Sequence, residues 1–331
     1  MKGLEVRLLV TGGTGLLGNN VIRSALGRGF EVASLARSGS DHPAFAGLPI
    51  QVFSADLSNQ DSLKPVFESR FDAIVHTAAH IQIGWSQMQE ALRINRDGTK
   101  TLLNFAQSQN AHFLHVSTVN TLAIGSQTTP ANEQTAGDGQ IPCTYVVSKR
   151  AAELEVKRAV EAGLKATIIH PAFMLGPWDW KPSSGKMVQG LQGFAFLAPS
   201  GGCSVCDPRD VSDAILNAIE TDPAGRHFIL GGENLTYLDL WRRISHQLGK
   251  RGPFTYMRLP GRMIACSAGD FFGKLTGNEP PINSAAVNMT AQFHWYSSER
   301  AIQELNYRFR PADDSIRDSI AWLRSHNMLR S

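Results

Sequence analysis

Short apolar runs rich in Val, Ile and Leu alternate with longer amphipathic stretches through the first half of the chain. That alternation predicts βαβ units winding a parallel sheet. Strands are expected over residues 6–10, 31–35, 50–53, 73–76, 112–116 and 166–170. Helices are expected over 15–26, 62–68, 87–107 and 145–162, the last closed by Gly163 as a C-cap. Beyond Pro171 the rhythm breaks, glycine and proline become frequent, and the apolar runs shorten. Residues 210–219 carry one further helical pattern. Thr236 is placed to cap a helix over 237–248, with Asp239 at its third position and Gly249 past its end. The whole predicts an α/β chain. A doubly wound parallel sheet occupies residues 1–170 and is rejoined by 203–231, and a smaller C-terminal α+β domain is built from 171–202 and 232–331.

Composition narrows the class. At 331 residues the chain is long for one core. A net charge of +3, with Lys and Arg scattered, gives no reason to expect nucleic acid or an acidic membrane as partner. No apolar stretch approaches the roughly 20 residues that span a bilayer. Four cysteines without framework spacing, and no basic and apolar leader, predict a reduced, soluble, cytoplasmic protein. Cys203-Ser-Val-Cys206 lacks a second ligand pair, so no metal is expected.

The glycine turn Thr11-Gly-Gly-Thr-Gly-Leu-Leu-Gly18 follows the first strand directly and opens the first helix. Gly12, Gly15 and Gly18 let the chain turn sharply and let backbone N–H groups approach a pyrophosphate, the arrangement of a dinucleotide cradle. At the end of the second strand, where a carboxylate would grip both ribose hydroxyls, stand Ala36 and Arg37. An arginine there pairs with a 2′-phosphate and argues for NADP over NAD. Asp56 and Leu57, after the third strand, are placed to flank the adenine.

Tyr145 and Lys149 stand four residues apart, on one face of the predicted helix. A cation beside the phenol is expected to pull its pKa down from about 10 and make it a better proton donor to a carbonyl.

With these motifs in place the chain resembles the extended short-chain dehydrogenase/reductase family (NAD-dependent epimerase/dehydratase-like), a Rossmann-type fold. The resemblance is carried by the glycine turn, Asp56-Leu57, Val75-His-Thr-Ala-Ala79, Asn95-Arg-Asp-Gly-Thr99, Val116-Ser-Thr118, Tyr145-Val-Val-Ser-Lys149 and His170-Pro-Ala-Phe-Met-Leu-Gly-Pro177. It implies a catalytic triad of Thr118, Tyr145 and Lys149, with Asn95 bracing the active-site strands. It also implies cofactor contacts from Thr11, Gly12, Thr14, Gly15, Leu16, Leu17 and Gly18, from Thr77, Ala78 and Ala79, and from Pro171, Phe173 and Met174 beside the nicotinamide. Threonine stands where the family more often has serine, and His170 replaces a frequent arginine. A homodimer through the helices over 87–107 and 145–162 is a further implication.

Within the family the chain is most similar to dihydroflavonol reductase-like and 3β-hydroxysteroid dehydrogenase-like reductases, on Val75-His-Thr-Ala-Ala79, Arg37 and Gly176-Pro-Trp-Asp-Trp-Lys-Pro182. The expected function is therefore an NADP-dependent oxidoreductase acting on an aldehyde or ketone. The alternative is a nucleotide-sugar epimerase or dehydratase with bound NAD. Val119-Asn120, where dehydratases carry an Asp-Glu pair, and Ala36, where epimerases carry an aspartate, count against it. A third reading, a regulatory protein that binds dinucleotide without turnover, is disfavoured because the tyrosine, lysine and hydroxyl residue are all kept. Trp178, Trp180, Phe194, Phe196, Phe271, Phe272, Phe293 and Trp295 form an aromatic set, read first as mostly core of the smaller domain and second as the lining of a pocket for the carbonyl compound.

Overall fold

Strands covered by helices on both faces must be apolar on both, and the central strands of this chain are buried residue after residue. The computed structural model describes residues 6–193 and 195–330. In chain order its strands are β1 (Arg7–Thr11), β2 (Glu31–Ala36), β3 (Gln51–Ser54), β4 (Ala73–His76), β5 (His112–Val116), β6 (Ala166–Pro171), β7 (Phe173–Met174), β8 (Leu197–Ala198), β9 (Gly202–Cys206), β10 (His227–Leu230), β11 (Glu233–Thr236), β12 (Thr255–Tyr256) and β13 (Phe293–His294). Seven of them form one parallel sheet in the order β10-β6-β5-β4-β1-β2-β3. The winding starts at β1 and runs outward both ways, so the order reverses between β1 and β4. This is the Rossmann-type doubly wound fold.

Helices α1 (Leu16–Gly27), α2 (Lys64–Phe67), α3 (Met88–Leu92), α4 (Gly98–Gln109) and α5 (Thr144–Glu161) connect the first six strands. The later helices are α6 (Gly185–Gly190), α7 (Pro208–Thr221), α8 (Tyr237–Gln247), α9 (Leu259–Thr276), α10 (Ser284–Met289), α11 (Glu299–Leu305) and α12 (Ala312–Ser325). On one face of the sheet Val21 and Ile22 of α1 and Val211 and Ile215 of α7 pack on Leu8 and Val10. On the other, Leu102 and Phe105 of α4 and Val156 of α5 pack on Leu9, Ile74 and Phe113. No helix among the described residues is long and apolar enough to cross a membrane.

Two expected helices differ in form. The stretch over 87–107 is one run interrupted by a π turn at Arg93–Asp97, which joins α3 to α4. The wider turn carries Asn95 into the interior, where it is 1% exposed. The stretch over 62–68 is a 3-10 turn, Gln60–Leu63, followed by the single turn α2, with Pro65 at its start. The helix of 237–248 ends one residue early, and Thr236 caps it by accepting from the Asp239 N–H at 3.1 Å.

The second module surrounds β9. This strand pairs with β11, β13 and β7, while β8 and β12 form a separate pair. Leu240 and Ile244 of α8 and Ile316, Ile320 and Leu323 of α12 close its core. Of residues 203–231, α7 and β10 join the larger sheet and β9 belongs to the smaller one. The chain therefore crosses between modules at Asp207. That carboxylate is fully buried and caps α7 through the Arg209 N–H at 2.9 Å. It also holds the Arg209 guanidinium, which reaches on to Asp318 of α12 at 2.7 Å. Arg310 completes the joint with a two-pronged bond to Asp210. Asp207→Ala removes the cap and leaves two guanidinium groups short of a partner, and should lower the unfolding free energy by about 3 kcal/mol. Urea denaturation checks this against Asp61→Ala, an exposed position expected to change stability by less than about 0.5 kcal/mol.

Candidate active site

The loops that the sequence assigns to a nucleotide all leave the carboxyl ends of the larger sheet, around the reversal between β1 and β4. Gly12 has a φ of +76°, and a Cβ there would lie 2.6 Å from Thr77 Oγ1 and 2.7 Å from the Ala78 nitrogen. Glycine alone lets this turn close onto the β4 loop. At Gly18 a Cβ would run into the Gly12 carbonyl. At Gly15 it would meet, among the described residues, only the Gly12 oxygen at 3.3 Å, which leaves the space beyond open. Gly15 is the cap position of α1, which has no side chain capping it and no acid in its first turn. The N–H groups of Leu16 and Leu17 and the positive end of the helix dipole are thus free for an anion, with Thr14 half-buried beside them.

Thr11 anchors the turn from below. Its hydroxyl meets His76 Nδ1 at 2.7 Å, and its carbonyl accepts from Thr77 Oγ1 at 2.7 Å. His76 passes the chain on to Thr99 at 3.0 Å, and Thr99 donates to the Asn95 carbonyl. The Asn95 side chain accepts from the His80 N–H at 2.7 Å and donates to Ser148 on α5 at 2.9 Å. Burial holds His76 neutral, with its pKa pushed down to about 3 and the Lys149 charge adding to the effect. A continuous polar thread therefore joins the glycine turn to the helix that carries Tyr145.

Arg37 is exposed at the end of β2 and hydrogen-bonds no other described residue. Beside it, Asp56 is held below the usual carboxylate range: burial would raise it, but two hydrogen bonds from Ser58 and the charges of Arg37 and Arg93 outweigh that. Leu57 is buried against Gly98. Thr77, Ala78 and Ala79 are half-buried along the β4 loop, Pro171 ends β6, and Phe173 and Met174 form β7, also half-buried. These groups fit a dinucleotide. The uncapped helix start matches a pyrophosphate.

Helix α5 is set by the β4 loop, whose Gly84 and Gln82 carbonyls take the N–H groups of Thr144 and Tyr145 at 2.8 and 3.0 Å. That satisfies two donors the helix leaves open at its start. Tyr145 faces Thr118, just beyond β5, and the threonine hydroxyl hydrogen-bonds the phenol. The expectation that Lys149 lowers the tyrosine pKa is not met. Burial pushes the phenol up to about 12, and the Thr118 bond is what works in the other direction. The Lys149 ammonium, 2% exposed, instead donates to the Val116 carbonyl at 2.7 Å and lies 3.4 Å from His115 Nε2. Burial brings its own pKa down to about 8, against an opposing pull from Glu153.

Several participants escaped the sequence reading. Gly13 is required because a Cβ there would strike Ser34 and Ile22. His115 sits against Lys149, and Glu153 acts electrostatically on both Lys149 and Tyr145. The spacing of Lys149 and Glu153, four residues apart on α5, was the available signal. The aromatic set does not line one pocket. Trp178 and Trp180 pack in the smaller core, Phe293 stacks edge-on against Trp295, and Phe271 and Phe272 are exposed. Phe194 lies outside the described residues. Cys203 and Cys206 are buried free thiols with pKa values pushed up by burial, and no group of three potential metal ligands occurs among the described residues.

Fold and site together define a dinucleotide-binding α/β enzyme. Residues 8–194 match the NAD dependent epimerase/dehydratase family, and the chain belongs to that family, the extended short-chain dehydrogenase/reductases, which bind NAD or NADP and include reductases and dehydrogenases. It is 27% identical to a Synechocystis protein provisionally named dihydroflavonol 4-reductase, over 97% of this chain and 96% of that relative. It is 26% identical to the 3-beta-hydroxysteroid dehydrogenase of Mycolicibacterium neoaurum, over 91% of this chain and 86% of the relative. The crystal structure of gox2253 matches with a TM-score of 0.85 at 30% identity, covering 99% of this chain and all of that one.

Lys149 makes the folded chain sensitive to pH in a definite sense. Its folded pKa of about 8 lies below the roughly 10.4 of an unfolded lysine, so the unfolded chain binds more protons between these values. Its charge therefore weakens the fold in full below about pH 8, and the penalty fades as pH rises towards about 10.4. Lys149→Met should be more stable than the wild type at neutral pH, with the gain shrinking above pH 8. Thermal unfolding across that range tests it, and a gain that grows with pH would contradict the burial argument.

Proposed function

We propose that this enzyme is an NADPH-dependent reductase of an aldehyde or ketone. The observation that carries the reading is the end of β2, where Ala36 removes the carboxylate and Arg37 offers an unengaged guanidinium to a 2′-phosphate. Leu16 and Leu17 would give their N–H groups to the pyrophosphate, Asp56 and Leu57 would flank the adenine, and Pro171, Phe173 and Met174 would border the nicotinamide. Bound NADPH supplies a hydride to the carbonyl carbon. The rest falls to the chain itself.

Tyr145 keeps its proton through the neutral range, because its pKa stands at about 12. It can therefore act as the acid that protonates the carbonyl oxygen as charge builds there. Thr118, already bonded to the phenol, holds the same oxygen and stabilises the developing charge. Lys149 is fixed by Val116 and His115, so its remaining donors are aimed and need no reordering when a ribose hydroxyl arrives. Names of relatives that act on apolar carbonyl compounds or their alcohols, such as the 3-beta-hydroxysteroid dehydrogenase and a ceramide reductase of Caulobacter vibrioides, agree with a substrate of that kind.

Fluorescence titration should show NADPH bound about 10- to 100-fold more tightly than NADH, with Arg37→Ala removing the difference. NAD retained through purification would instead turn the reading to an epimerase. Tyr145→Phe should lower kcat for carbonyl reduction by about 10³-fold while NADPH affinity stays at the wild-type value. Near-normal turnover in that variant would remove the tyrosine from the mechanism.

A further inference from the structure

Helix α9 is inverted. A helix on the surface of a soluble protein normally turns its large apolar side chains inward. Here Leu259, Met263, Ile264, Phe271, Phe272 and Leu275 point outward, and each is between 57% and 71% exposed. The inward side is small. A Cβ at Gly269 would strike the Ile282 carbonyl, and one at Gly273 would lie 3.2 Å from Pro280, so the helix sits flush against the chain that returns from it. This outward array makes a contiguous apolar face of the kind that marks an interaction surface.

Cations outnumber acids around that face. Arg258 is the cap residue of the helix and Lys274 stands in its last turn, while Lys250 and Arg251 lie further upstream, before β12. All four are exposed, and none of their side chains hydrogen-bonds or pairs with another described residue. The acid on the helix, Asp270, is engaged by the Ser284 N–H at 2.9 Å. A second copy meeting this face across a two-fold axis would bring the cations against one another. An anionic lipid surface meets both features, with apolar side chains at the acyl boundary and cations at the phosphates.

We propose that α9 is a membrane-surface helix that seats the enzyme on anionic phospholipid. The sequence expectation of no membrane partner rested on the absence of a spanning segment and of a basic run, and neither is needed by a helix lying in the interface. The position suits an enzyme. Helix α10, on which α9 packs, brings Ala285 and Met289 to the cluster that holds Tyr145.

Flotation of the full chain with vesicles of phosphatidylglycerol mixed with phosphatidylcholine tests this, with pure phosphatidylcholine vesicles as the comparison. The wild type should float with the anionic vesicles, and binding should drop at least about tenfold in the Ile264→Glu, Phe271→Glu double variant. Arg258→Glu and Lys274→Glu should each weaken it about fivefold, and because these two alter no apolar contact they keep the test valid if the double variant unfolds. A wild type that ignores anionic vesicles overturns the proposal, as does a double variant that floats like the wild type. So does a dimer in sedimentation equilibrium that the double variant dissociates while vesicle binding is absent. None of these results depends on nucleotide preference or on turnover.

Discussion

The Gly12 backbone approaches Thr77 and Ala78 too closely for any Cβ between them, and much of the site is arranged around that contact. It falls where the strand order reverses, so it ties the two halves of the winding together at the mouth of the crevice. From there Thr11, His76, Thr99, Asn95 and Ser148 form one hydrogen-bonded thread beneath the floor of the site. Each member is buried, so each bond that failed would leave a polar group stranded in an apolar interior. The thread thus fixes the distance between the anion-binding turn and α5 more firmly than side-chain packing alone would.

Lys149 shows how the fold trades stability for readiness. A buried ammonium with a single short bond to a carbonyl is a poorly solvated charge, and its lowered pKa records that. Tyr145 is shifted in the opposite sense by the same cause. Burial keeps the phenol protonated and loosens the proton on the lysine, and Glu153, four residues along the same helix, opposes the second effect. Of the two neighbouring groups only the lysine is moved towards the neutral range, while the phenol is held firmly as a proton carrier.

The sequence was most legible where structure is local. All six expected strands of the larger sheet appear within a residue of their expected bounds, because each is a short apolar run closed by a turn. The phosphate turn was legible for the same reason, since its glycines lie at fixed spacing. What escaped depends on contacts between distant residues. Gly13 is glycine because of Ser34, His115 matters because Lys149 folds onto it, and the π turn at Asn95 exists to reach His80 and Ser148. The smaller sheet, with β9 paired to strands from both sides of it in sequence, leaves no local trace. Phe271 and Phe272 read from their chemistry as core or pocket lining, and they are neither, since the helix lies flush on Gly269 and Gly273 and leaves both rings exposed.

The place of β10 has a consequence for how the chain is made. It covers the outer edge of β6, yet 55 residues separate the end of one from the start of the other, and the smaller module's β9 is threaded between them. Until residues 227–230 leave the ribosome, β6 presents a row of unpaired N–H and C=O groups to whatever lies nearby. The nascent chain therefore passes through a stage with an open, apolar sheet edge, which is closed only by a strand made 55 residues later.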